Sequence, residues 1–308
     1  MYAKKLIALL ITAAVLITLP IAATAQDDYH TPEFFNENEY RKLVSFFTQN
    51  DNNRKIFDEL GWEFDDPLSW VYKGYMGVTW YNHYGTDEYR VAGFKFDGSP
   101  FSGDLDLSGF TELYVVNLSY TAIDSINLSG NTTLEYLSVT GSNITSLDIS
   151  SNTELVELFI HSNKLTSIDI SNNLALTAIY IDDNYISEMD LSKHRHLTGF
   201  SAARNKLRSI SSLEDLELLC YVDVRDNYLD LTSPQVATSI AKVQATVDKN
   251  EDNESILHGW WMRGVEYEPQ NEAAFAAAPT WTIDLQKLIA ALVALIGMSA
   301  VMRLLPKL

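Results

Sequence analysis

The chain has 308 residues, 46% of them hydrophobic and 11% aromatic, which is enough to bury a substantial core in one large domain or two small ones. With 41 acidic residues against 22 basic ones its formal charge is −19, and nucleic acid is a poor partner because phosphate binding needs a basic surface. Cys220 is the only cysteine, so no disulfide can form within the chain and stability rests on packing or bound ions.

Residues 1–25 carry Lys4 and Lys5, an apolar run from Leu6 to Ile21, and Ala23-Thr24-Ala25 ahead of the polar Gln26-Asp27-Asp28. That pattern predicts a cleaved secretory signal. Residues 26–90 read as an N-terminal cap. PEFFNENEYRKLVSFFTQNDNNRKIFDELGW has helical spacing of Phe, Leu and Ile, broken near Asn50 to Asn53, which predicts two helices between about 33 and 60.

From 91 to 231 the chain repeats itself. Units open at 91, 113, 134, 155, 176, 197 and 219, and four consecutive units from Leu113 are 21 residues long. A fixed period of this size means a solenoid. Counted from the first leucine, apolar residues recur at positions 1, 4, 6, 11, 14 and 16, as in Leu155, Leu158, Ile160, Leu165, Ile168 and Ile170. Short alternating runs such as LFI and IDI predict strands with alternate side chains inward. Position 9 is Asn163, Asn184, Asn205 and Asn227 in successive units, and an inward amide there can pair the backbone of a buried bend. Thr121 and Ser142 replace it in two earlier units, which predicts a weaker or water-assisted ladder there.

This pattern resembles the leucine-rich repeat family, and the flavour is similar to secreted bacterial proteins of the internalin kind. The resemblance implies a strand-rich α/β solenoid, a right-handed arc with a parallel concave sheet and helical caps at both ends. It further implies a second strand in each SIDIS-like half-unit, with Asn127, Asp148, Asp169 and Asp190 in one outward column. The stretch from Gly61 to Phe110 looks like the N-terminal cap of plant-type and bacterial repeat proteins. Leu68 and Trp80 lie near the places of that cap's cysteine pair, so aromatic packing is expected to close it.

Residues 232–270 read as a C-terminal cap. Ser233-Pro234 is a helix-start signal, and VATSIAKVQATV continues with helical spacing, predicting a helix over the open edge of the last repeat. HGWWMRGVEYEPQ, 258–270, either completes that cap or exposes a sticky patch. A linker spans 271–282, and the apolar run within 283–305, followed by Arg303 and Lys307, is expected to anchor the chain in a membrane; a buried C-terminal helix is the competing reading.

If each LxL is a strand, its flanking positions face outward on the concave side. Tyr136, Glu157, Phe159, His161, Tyr180, Asp182, Tyr221, Asp223 and Arg225 are the candidate ligand-binding residues, with Phe159 and Tyr180 as an aromatic centre. The competing reading is that these aromatics stabilise neighbouring strands and bind nothing. His161 is expected to be a surface residue rather than a general base, and no metal or cofactor site is expected. His194 and His196 are expected to be solvated in a loop, and Cys220 a partly buried small residue. Five Asn-x-Ser/Thr sites, at Asn117, Asn127, Asn131, Asn143 and Asn253, read as coincidence, all but the last following from the habits of the repeat.

Together these features predict an exported, surface-tethered, monomeric protein that is not an enzyme and binds a macromolecular partner, a protein, in adhesion or recognition. The alternatives are a carbohydrate- or wall-binding or enzymatic accessory protein acting through its Trp-rich flanks at 62–80 or 258–267, and a structural spacer.

Overall fold

The computed structural model describes residues 35–72, 76–82, 88–250 and 264–267. The leader-like segment, the 271–282 linker and the 283–305 run lie outside the described residues. Among the described residues, no helix is long and apolar enough to cross a membrane.

Two helices open the cap, α1 (Glu37–Thr48) and α2 (Asp51–Glu59). Both begin on an asparagine whose side chain accepts a backbone N–H three residues on: Asn36 from Glu39 at 3.1 Å and Asn50 from Asn53 at 2.8 Å. The i, i+3, i+4 face of α1 buries Tyr40, Leu43, Val44 and Phe47. Phe47 is the centre of an aromatic cluster, with ring centroids 5.1 Å from Phe57, 5.4 Å from Trp70 and 5.6 Å from Phe101. Rings therefore close this cap, as expected; Trp80 joins them 6.0 Å from Trp70, while Leu68 is exposed. A hairpin follows: β1 (Val71–Tyr72), β2 (Met76–Asn82) and β3 (Tyr89–Lys95) pair antiparallel in that order.

From β3 onward the sheet is parallel. β5 (Val115–Asn117), β7 (Tyr136–Ser138), β8 (Glu157–Phe159), β9 (Ala178–Tyr180), β10 (Gly199–Ser201) and β11 (Tyr221–Asp223) follow in register, and β12 (Gly264–Glu266) closes the ten-stranded sheet. Register is fixed because Val116, Leu137, Leu158, Ile179, Phe200 and Val222 all point into one apolar core. Each such side chain contributes about 1.5–3 kcal/mol when fully buried.

The inward asparagines behave as position 9 requires. Asn184 Oδ1 accepts the Leu165 N–H at 3.0 Å, and its Nδ2 donates to the carbonyls of Ile160 and Ile181, each at 3.0 Å. Asn163, Asn205 and Asn227 repeat the arrangement on Ile144, Ile186 and Leu207. The preceding residue lies in the left-handed region in every unit: Tyr120, Ser162, Asp183, Arg204 and Asp226, with glycine at 98 and 141.

The second half-unit departs from expectation. Only β4 (Ser102–Asp106) and β6 (Ala122–Asn127) form a second sheet; later half-units carry no strand. In those later units the asparagine of the following turn accepts the N–H of Ile144, Leu165 or Ile186. Asp148, Asp169 and Asp190 still stand in an exposed column, each accepting from the serine two residues on at 2.9 Å.

The C-terminal helix, α3 (Pro234–Asn250), buries Val243 and Val247, and Asn250 Nδ2 reaches the carbonyls of Glu217 and Leu219 at 2.8 and 2.9 Å. The open edge of β11 is nevertheless met by β12 and not by this helix. A strand supplies the backbone partners an exposed edge needs, which a helix face cannot. Of the 258–270 stretch, 264–267 are described, and Val265 and Tyr267 pack against the core.

Candidate recognition face

The outward positions of β7 to β11 form one surface, and the rings on it touch. Tyr136 and Phe159 lie 5.5 Å apart, Phe159 and Tyr180 stack at 5.2 Å and 15°, and Tyr180 and Tyr221 stack at 6.4 Å and 17°. Because β8 and β9 pair Phe159 directly with Tyr180, the stack follows from register. Tyr180 then leans across Gly199, where a Cβ would lie 3.3 Å from its hydroxyl; that close approach lets it reach Tyr221 two strands away.

This packing makes the face less open than the spacing suggests. Tyr180 is 6% exposed and Tyr221 9%, and with Ala178 they form an apolar cluster separate from the core. Tyr136, Glu157, Phe159 and His161 are half-buried and supply the accessible part of the patch. Cross-strand stacking covers the faces the rings turn to one another.

The carboxylates divide into engaged and unengaged. Asp223 is buried and forms a two-pronged pair with Arg225 at 3.0 and 2.6 Å. Asp182 Oδ1 accepts the Ser201 hydroxyl at 2.5 Å and the Ala203 N–H at 2.8 Å, while its Oδ2 makes no hydrogen bond among the described residues. Burial pushes the Asp182 carboxyl up to about 6, opposed by those two hydrogen bonds. The Glu157 carboxyl is also raised by burial, and its oxygens have no hydrogen-bond or ion-pair partner among the described residues. Burial raises the Tyr136, Tyr180 and Tyr221 phenols, and neighbouring carboxylates add to the rise.

His161 Nδ1 lies 3.2 Å from Ser162 Oγ, and burial holds its pKa below the usual imidazole value. Among the described residues no carboxylate hydrogen-bonds its ring, so a Ser–His–acid relay is not assembled. No group of His, Cys, Asp or Glu among the described residues could hold a metal ion. Cys220 is buried, its Sγ donating to the Leu218 carbonyl at 3.4 Å.

His194 corrects the sequence expectation. It is buried, with Nε2 3.2 Å from the Ile170 carbonyl, while His196 is exposed as expected. It is the last rung of a second inward ladder: Asn152 donates to the carbonyls of Leu128 and Asn131, and Asn173 to those of Ile149 and Asn152. The signal was available, since Asn131, Asn152, Asn173 and His194 are spaced by 21 residues. Trp62 and Trp70 are buried in the cap, so the 62–80 flank does not present them for recognition.

No protein-family model matches the sequence, and no curated protein matches it. Among solved structures, an internalin (inlF) from Listeria monocytogenes is similar at 26% identity over 44% of this chain and 40% of its own, with a TM-score of 0.40. The functional domain of InlJ from the same organism, which includes a cysteine ladder, is 26% identical over 50% of this chain and 38% of its own, with a TM-score of 0.40. An internalin C2 (inlC2) from Listeria monocytogenes is 20% identical over 47% of this chain and 75% of its own, with a TM-score of 0.38. The chain thus matches well under half the length of the first two structures. On the strength of its own 21-residue coil, inward Leu and Ile positions and asparagine ladder, the chain is a leucine-rich repeat solenoid.

Proposed function

We propose that this protein is an exported recognition module that binds a protein partner on the outward face of β7 to β11, in adhesion or a related surface role. The observation that carries this reading is the half-buried patch of Tyr136, Glu157, Phe159 and His161, set on a stacked aromatic base. Rings locked by their neighbours lose little freedom when a partner covers them, which lowers the ordering cost of association. Aromatic residues edged by charge are also the composition of binding hot spots. Export rests on the leader-like residues 1–25, and tethering on the apolar run within 283–305.

The test is capture from surface or envelope extracts by the immobilised protein, wild type against a Tyr136→Ala/Phe159→Ala double variant with an unchanged melting transition. A partner held by the wild type and lost by the variant is the expected result. Identical captured sets would place recognition elsewhere, and the flank at 258–267 would be next to test.

A further inference from the structure

Three features of the proposed face limit what its occupant can be. The first is charge. None of the outward positions on β7, β8, β9 and β10 holds a lysine or arginine, while Glu157 lies on β8 and Asp182 two residues past β9. The nearest cations are already engaged: Arg204 with Asp183 at 2.5 Å and Arg225 with Asp223 at 2.6 Å. Burial lowers the His161 pKa from the ordinary imidazole value, against the pull of Asp183.

The second feature is placement. Glu157 pairs with Ala178, and the parallel ladder continues beyond β9 through Ile160 N–H to the Tyr180 carbonyl and Ser162 N–H to that of Asp182. The two carboxylates therefore stand at opposite ends of the Phe159–Tyr180 pair, four residues or about 13 Å apart along the strand direction at ~3.3 Å per residue.

The third is ring orientation. Phe159 and Tyr180 are stacked at 15°, so the electron-rich faces they turn to each other are taken, and Tyr136 lies 5.5 Å from Phe159 as well. The half-buried Phe159 ring is an apolar floor for an aliphatic stem.

Resting on the reading above, we infer that the occupant is an extended, basic protein segment, two of whose cationic side chains pair with Glu157 and Asp182 while their stems lie across the half-buried Phe159 ring that Tyr180 backs from beneath the surface. A β-type segment repeats side chains on one face every second residue, so residues four apart span the two carboxylates. Each charge-assisted contact gains from the partly dry setting that leaves Glu157 without a partner.

A proton linkage follows. Asp182 is faced by Asp223, which raises its pKa, and Arg204, which lowers it, with Ser201 and the Ala203 N–H bonded to Oδ1; Tyr180 and Tyr221 are neutral neighbours. Glu157 is faced by Tyr136 and Tyr180. A bound cation favours the ionised carboxylates, so affinity rises with pH through the region near 6 and falls as the pair protonates.

The test uses the full chain with 13C-labelled Phe and Tyr rings, titrated with a nine-residue Gly/Ser peptide carrying two arginines four residues apart. The expected result is a saturable shift of the Phe159 and Tyr180 ring signals. Binding should weaken at least fivefold in Glu157→Gln and in Asp182→Asn, and again in the wild type between pH 7.5 and pH 5. A peptide with adjacent arginines should bind less well, and one with two glutamates should not bind. The inference is overturned if the two variants bind as the wild type does, or if Asp148→Asn on the exposed column weakens binding equally, which would show general charge attraction. If Tyr136→Ala/Phe159→Ala abolishes partner capture while Glu157→Gln/Asp182→Asn leaves it intact, the face binds but not through a basic segment. If neither affects capture, the functional reading itself fails.

Discussion

The first turns of the coil and the later ones keep the same pitch but satisfy their backbones differently. Between Phe96 and Ser142 the position-9 residues are Ser99, Thr121 and Ser142; Thr121 Oγ1 donates to the Leu118 carbonyl at 2.7 Å and lies 3.2 Å from Ser142 Oγ. A hydroxyl has too few sites to serve the whole bend, and there the backbone pairs with itself on the far side, as β4 and β6. From Asn163 onward one amide serves the bend and the neighbouring coil, and no half-unit after β6 carries a strand. The same requirement, that no buried N–H be left unpaired, is met by a sheet at one end and by side chains at the other.

The largest expected effect follows from that contrast. Asn184→Ala strands the Leu165 N–H and removes the amide from three carbonyls, and should cost about 3–4 kcal/mol in urea unfolding. Ser142→Ala removes hydroxyl contacts to Thr121 and the Leu118 carbonyl and should cost about 1 kcal/mol. Equal costs at the two sites would break the distinction between a side-chain ladder and a backbone-paired one.

The two ends of the coil sharpen it further, because each is met by a cap side chain. At the rear Asn250 donates to two carbonyls; at the front Glu39 Oε2 accepts the Val91 N–H at 2.7 Å, with Arg90 3.6 Å from its other oxygen. Burial, the largest influence, raises the Glu39 carboxyl from 4.5 to about 7, against the Val91 hydrogen bond and Arg90. A raised carboxyl means the folded state holds its proton where the unfolded chain has released it. Stability from this site is therefore greatest at low pH and declines as pH rises from about 4.5 to 7. Glu39→Gln keeps an acceptor for Val91, should flatten that decline, and should stabilise the protein by about 2 kcal/mol at pH 8. An unchanged pH profile of the melting temperature would show that Glu39 is ionised without penalty.

Sequence periodicity made the core, the Asn163 ladder and the break between α1 and α2 legible, because each rests on spacing that a single strand or helix must obey. What escaped was decided between turns. His194 looks like a loop residue beside Lys193 and Arg195, and only its register with Asn131, Asn152 and Asn173 places it inside. The outward columns were legible as columns, but the burial of Tyr180 depends on Gly199 two strands from Phe159, a diagonal relation that no alternation pattern carries. The second sheet ends after β6, although position 9 of the next unit is still Ser142; the asparagine contacts begin only with Asn163, which accepts the Ile144 N–H.

The smallest effect concerns the left-handed residue before each ladder rung. Gly141 has φ +63°, and a Cβ there would lie 2.7 Å from the Tyr120 ring; since that ring is 61% exposed and can swing aside, Gly141→Ala should cost about 1 kcal/mol, mainly through backbone strain. Ser162 holds φ +58° without glycine's freedom. Ser162→Gly should therefore raise stability by about 0.5–1 kcal/mol, less whatever its contact with His161 contributes. Thermal melts of the two single variants separate these contributions. If Ser162→Gly destabilises, the His161–Ser162 contact outweighs the strain, and the later turns depend on their outward face as well as on their asparagines.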